Sequence, residues 1–120
     1  LTLPCDVRAP GHVRAALANV HQDGWSLDDG QLVASELVTN AVKHSGCGPE
    51  HRLQVDVRLL SDGLEISVHD PGLSKRAAYR QPSGRLKPGG LGLQIVEHLS
   101  RSWGAARLDG YLVWAELPRR

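Results

Sequence analysis

Ser35-Glu36-Leu37-Val38-Thr39-Asn40-Ala41-Val42-Lys43-His44 is the stretch that decides how this chain folds and what it could bind. Residues four apart on a helix share one face, so Glu36 and Asn40 project together, with Lys43 and His44 beside them. A carboxylate next to a neutral amide and a cation suits a metal-phosphate group beside a general base. An amphipathic helix with a solvated polar face accounts for the same letters. The segments on either side separate the two readings.

Upstream, Ser26 or Asp28 can cap this helix, whose apolar positions are Leu32, Val33, Leu37, Val38, Ala41 and Val42. Gly46 or Gly48 ends it. Before it, Pro10 can open a first helix carrying Val13, Leu17 and Val20 at near-helical spacing as far as Gly24. Leu1, Leu3 and Cys5 alternate with other residues, which predicts a short edge strand ended near Pro4 and Asp6.

Downstream, Leu53, Val55, Val57 and Leu59 alternate with Gln54, Asp56 and Arg58, and the alternation resumes after Ser61-Asp62-Gly63 in Leu64, Ile66 and Val68. That is a hairpin with one apolar face. Asp70 shares the parity of Leu64, so its carboxylate points toward the core side and needs a partner there. From Pro71 to Gly90 the chain is rich in proline and glycine and lacks periodicity, which predicts a long loop. A third helix starts near Leu91, with Gly92, Ile95, Val96 and Leu99 on one stripe, and Gly104 closes it. Ala105 to Leu108 and Tyr111 to Leu117 then flank Asp109-Gly110, a dipeptide suited to a tight hairpin. Trp103 and Trp114 read as core or edge fillers. The order of elements predicts an α/β (α+β) two-layer sandwich, a mixed, mostly antiparallel sheet with helices on one face.

The 120 residues suffice for one domain spanning 1–120, and the formal net charge of +1 gives no bias toward nucleic acid, so no direct nucleic-acid partner is expected. No stretch reaches the roughly 18 uncharged apolar residues of a membrane span. A soluble, cytoplasmic protein with no membrane partner is expected. Cys5 and Cys47 have no metal-ligand spacing and are too few for a disulfide framework, so both are expected to be free thiols.

Two phosphate motifs can be tested on the letters. Gly84-Arg85-Leu86-Lys87-Pro88-Gly89-Gly90 has the spacing of a P-loop without its Lys-Ser/Thr ending. Gly90-Leu91-Gly92 lacks the third glycine of a dinucleotide fingerprint. Both fail. The six histidines show no shared metal spacing.

Taken in order, Glu36-x-x-x-Asn40, Asp70-x-Gly72 and Gly90-x-Gly92-Leu93 resemble the conserved boxes of the ATPase superfamily shared by gyrase, Hsp90, histidine kinases and MutL. The resemblance spans most of the chain and implies the histidine-kinase-like ATPase (Bergerat) fold. Within that superfamily the Ser-Glu-Leu-Val-Thr-Asn-Ala-Val-Lys-His-Ser and Gly-Gly-Leu-Gly-Leu-Gln-Ile-Val strings look most like bacterial anti-sigma-factor serine/threonine kinases. Ser74 stands where a second glycine is often found. The segment after His12 is unlike a histidine-kinase phosphoacceptor.

The resemblance implies ATP and Mg²⁺ as cofactors. Asn40 would hold Mg²⁺ against the phosphates, Glu36 would be the catalytic base for an attacking hydroxyl, and Lys43 and His44 would flank the nucleotide. Asp70 would accept a hydrogen bond from the exocyclic amine of adenine, with Gly72 letting the backbone approach the base. An aspartate opening an ordinary Pro-Gly turn explains the same three residues. Gly89, Gly90, Leu91, Gly92 and Leu93 would place backbone N–H groups on phosphate oxygens. Lys75, Arg76, Arg80, Arg85 and Lys87 would raise the potential of the loop for a triphosphate, although a solvated basic loop is the alternative.

The expected function is an ATP-dependent kinase phosphorylating an anti-sigma antagonist, with a sigma factor as the sequestered partner. The alternatives are a non-catalytic nucleotide-binding regulatory module and a free-standing ATP hydrolase. The first helix and its Arg14 could serve a homodimer or a partner surface.

Overall fold

The computed structural model describes residues 1–19, 27–76, 79–82 and 93–119, without the side chains of Leu27 and 79–82. In chain order the elements are β1 (Thr2–Pro4), α1 (Ala9–Leu17), α2 (Leu27–His44), β2 (Arg52–Leu60), β3 (Gly63–Asp70), β4 (Tyr79–Pro82), α3 (Gln94–Leu99), β5 (Ser102–Arg107) and β6 (Tyr111–Pro118). Among the described residues the strands form one six-stranded sheet in the order β1-β2-β3-β6-β5-β4. Every described pairing is antiparallel, so the parallel component allowed by a mixed sheet is not found. Three corrections concern the elements. The segment expected to be a structureless loop contains β4, which pairs with β5. Gly104 lies inside β5, because Trp103 and Ala105 alternate inward with strand period and α3 has already ended at Leu99. Helix α1 ends at Leu17 with Ala18 as its C-cap, short of the expected run to Gly24, of which Val20 to Gly24 lie outside the described residues.

Helix α2 is the central element of the helical layer. Asp28 and Asp29 lie in its first turn and Lys43 and His44 in its last, which matches the helix dipole at both ends. Ser45 N–H closes the final turn on the Ala41 carbonyl at 3.0 Å, and Gly46 follows with a φ of 79°, the left-handed conformation that stops a helix. Val33, Ala34, Leu37, Val38 and Ala41 bury against the sheet, whereas Leu32, expected in the stripe, is 40% exposed. The helix packs on β3 and β6 and is flanked by α1 and α3.

The inner face of the sheet carries Leu53, Val55, Leu64, Ile66, Val68, Val113, Ala115, Leu117 and Trp103, all buried. The same parity in β3 turns Glu65, Ser67 and His69 to the other face, where each is half-buried. The period of two that was readable in the sequence therefore sets the side on which the helices dock.

Cys5 and Cys47 form a disulfide, which corrects the expectation of free thiols. Cys5 directly follows β1 and donates its N–H to the His51 carbonyl at 3.2 Å, while Cys47 lies in the connection from α2 to β2. The two Cα atoms are 6.2 Å apart, within bridging reach. Strand pairing brought them together across 42 residues, a proximity that spacing in sequence does not display.

Candidate functional site

The register of three strands places Asp70 opposite Tyr111 and Tyr111 opposite Arg107 at one end of the sheet. All three positions share the inner-face parity. The Asp70 carboxylate is 1% exposed, as its parity required. Its Oδ1 accepts the Gly72 N–H at 2.7 Å and the Arg76 Nη2 at 2.6 Å, and Oδ2 accepts the same Nη2 at 2.8 Å. The inward carboxylate thus has its partner, and that partner is Arg76. The Arg76 side chain is only 5% exposed, and its guanidinium carbon lies 3.8 Å over the centroid of the Tyr111 ring. Arg76 therefore does not belong to a solvated basic loop, and it faces the carboxylate end of the site. Burial pushes the Tyr111 phenol above its ordinary 10.0, while the nearby Arg76 opposes that shift and Asp70 adds to it.

Residues 72–76 are fastened on two sides. Arg107 donates from Nη1 to the Gly72 carbonyl at 3.1 Å and from Nη2 to the Ser74 carbonyl at 2.5 Å. The Ser74 hydroxyl donates to the His44 carbonyl at the end of α2. Serine, where a glycine is often found in the resembling proteins, thus ties the strap to the helix. Gly72 has a φ of 66°, and a Cβ there would lie 2.9 Å from the Gly110 backbone carbon. Its glycine is required by this close approach to the β5–β6 turn, whatever else approaches it.

Along α2 the polar residues are graded, not uniformly solvated. Asn40 is 4% exposed, Glu36 and Thr39 are half-buried, and Lys43 is exposed. Asn40 lies one helical turn before His44 and Glu36 one turn before Asn40, so all three run toward the strap. Both amide atoms of Asn40, Oδ1 and Nδ2, are buried without a hydrogen-bond partner among the described residues. Leaving such atoms unpaired costs about 1–3 kcal/mol per group, and native interiors rarely carry that cost without water, an ion or a ligand. An amide oxygen is a hard donor suited to Mg²⁺, so the residue fits the proposed cation.

Leu93 caps α3 and is buried, with α3 packed on α2. Gly89, Gly90, Leu91 and Gly92 lie outside the described residues. Among the described residues no group of His, Cys, Asp and Glu forms an all-protein metal site. No helix among them is long and apolar enough to cross a membrane. An apolar groove of about 360 Å³ lies between α2 and α3, lined by Leu32, Gln94, Ile95, His98 and Leu99, and Asn40 and Asp70 are not among its walls.

Arg76, Tyr111 and Arg107 were not singled out as a cluster by sequence reasoning. The signal for Tyr111 was its parity with Val113 and Ala115, and the Asp109-Gly110 turn then dictates that Arg107 sits beside it. The inward parity of Asp70 called for a partner without saying which residue supplies it.

An antiparallel sheet with its helices on one face, an inward aspartate ending the central hairpin and a buried asparagine on the covering helix defines the class. The chain belongs to the histidine kinase-like ATPase domain family, whose match extends over residues 5–111. It is similar to the Serine-protein kinase RsbW of Listeria innocua serovar 6a, with 31% identity over 85 residues. That stretch covers 62% of this chain and 54% of the relative, so the match spans about half the relative's length.

Proposed function

We propose that this chain, acting as one domain, binds ATP with Mg²⁺ and transfers the terminal phosphoryl group to a serine or threonine hydroxyl of a partner protein. The observation that carries the reading is Asn40, on the helix that packs against the Asp70 hairpin, whose two buried amide atoms have no partner among the described residues. Asn40 holds the cation through its amide oxygen. When bound, Mg²⁺ supplies neutralisation of the phosphate oxygens and orients the transferred group. Glu36, one turn earlier and half-buried, accepts the proton of the attacking hydroxyl, and exposed Lys43 adds positive charge near the phosphates. Asp70 accepts the exocyclic amine of adenine, an acceptor-only contact that selects against guanine. His44 would flank the nucleotide, and by the same resemblance the stretch from Gly89 to Leu93 would supply backbone N–H groups to phosphate oxygens.

Likeness to a serine-protein kinase supports the transferase reading, and resemblance to the anti-sigma kinases supplies the partners. On this reading the partners are a sigma factor that is sequestered and an antagonist that is phosphorylated, and a cytoplasmic location in a bacterial cell goes with them. A second reading, a regulatory module that sequesters its partner without phosphoryl transfer, is favoured by one observation: the Asp70 carboxylate is already engaged by Arg76.

The test is γ-labelled ATP with the chain and candidate antagonist proteins from the same cell. Incorporation of label into an antagonist, lost in Glu36→Ala while ATP still binds, supports the kinase. ATP binding without incorporation supports the module, and absence of ATP binding by the folded chain refutes both.

A further inference from the structure

We infer that the Arg76 guanidinium is an internal occupant of the base subsite, competing with the purine for Asp70 and for the face of Tyr111. The inference rests on the reading that Asp70 receives a nucleotide base. A guanidinium and an adenine edge share three properties: both are planar, both offer N–H donors in the plane, and both stack on an aromatic ring. Arg76 uses all three here, with Nη2 on both Asp70 oxygens at 2.6 and 2.8 Å and its carbon 3.8 Å over Tyr111. With side chains 5% and 1% exposed, the pair leaves no space for a base to reach the carboxylate while Arg76 stays.

The occupancy is incomplete in a way that suits a displaceable group. Among the described residues Nε and Nη1 of Arg76 are buried without hydrogen-bond partners, so one of its three nitrogens is satisfied there. A guanidinium built for a purely structural pair would present a bidentate fork with two nitrogens engaged. The strap that delivers Arg76 is held by contacts outside the subsite, those of Arg107 to the Gly72 and Ser74 carbonyls and of Ser74 to His44. Loosening the Ser74 contacts withdraws Arg76 while the Gly72 N–H stays on Asp70. Nucleotide affinity is then scaled by the fraction of molecules with Arg76 withdrawn.

The test uses the whole chain with N-methylanthraniloyl ATP and Mg²⁺, followed by stopped-flow fluorescence and by calorimetry with a non-hydrolysable ATP analogue. In the unmodified protein the observed association rate should level off with rising nucleotide, because withdrawal precedes entry. Arg76→Met removes the N–H donors that hold the side chain on Asp70, so the base has only a flexible apolar chain to push off Tyr111; it should bind at least about 10-fold more tightly, the factor set by an open fraction of about one in ten or less, and its rate should stay linear. Arg76→Lys, which retains a cation for Asp70 but no planar fork, should fall between the two, and it serves should Arg76→Met fail to fold. Asp70→Asn should weaken binding in every background. If association is linear in the unmodified protein and both Arg76 variants bind equally or more weakly, the occupant inference is overturned while the nucleotide reading stands. If neither the unmodified protein nor any folded variant binds, the nucleotide reading falls with it.

Discussion

Replacing Asp70 by asparagine removes the charge from a carboxylate that is 1% exposed and strands an arginine whose side chain is 5% exposed. The asparagine oxygen can still accept the Gly72 N–H, now 2.7 Å from Oδ1, so the loss falls on the ion pair. Breaking one member of a buried pair costs about 3–5 kcal/mol, because the remaining charge has lost both water and partner. Arg76→Met alone should cost a similar amount by leaving Asp70 uncompensated. The double variant has no stranded charge and keeps apolar contact with Tyr111, so it should be more stable than the sum of the singles by about 2–3 kcal/mol, the upper part of the roughly 0.5–3 kcal/mol seen for coupled neighbours. Urea unfolding followed by tryptophan fluorescence, with Trp103 fully buried as the reporter, measures all four proteins without nucleotide. Additivity within about 0.5 kcal/mol would refute the claim that this pair is a coupled buried unit.

Asn40→Leu removes two unpartnered buried polar atoms, so the nucleotide-free protein should gain about 1–2 kcal/mol while losing any stabilisation by Mg-ATP, as read by thermal melts with and without the nucleotide. Reducing the Cys5–Cys47 bridge, which spans 42 residues, should cost about 4 kcal/mol by loop entropy, checked by intact mass and by melts with and without a phosphine reductant. For Tyr111 the folded phenol is held above 10.0, so the unfolded chain ionises first. Stability from this group is complete below pH 10 and lost as pH rises beyond it, and a spectrophotometric titration should show one tyrosine ionising late together with alkaline unfolding.

The strands and the covering helix were legible because their patterns are local. The alternation in 53–59 and 64–68 set the hairpin, and the parity of Asp70 alone announced an inward carboxylate. The Asp109-Gly110 turn was legible for the same reason, with φ values of 47° and 115° that few other residue pairs tolerate. What the letters withheld is long-range. Cys5 meets Cys47 through β1–β2 pairing, and β4 owes its existence to the edge that β5 offers, since its own four residues carry no strand signal. Arg76 looked like one of five basic loop residues because nothing local distinguishes the one that folds back onto Asp70 from the rest. Asn40 was read as part of a polar group facing away from the core, yet it lies seven positions after Val33 and within the buried stripe. The same spacing explains why its amide is buried and why a ligand is the natural complement to it.

Calorimetric titration of the intact, folded chain with a non-hydrolysable ATP analogue and saturating Mg²⁺ tests the central claim most directly. A saturable one-site heat that disappears in Asn40→Leu and in the absence of Mg²⁺ is the predicted result. No heat from adenine nucleotides, or equal binding by the Asn40 variant, would contradict a nucleotide site built on this helix.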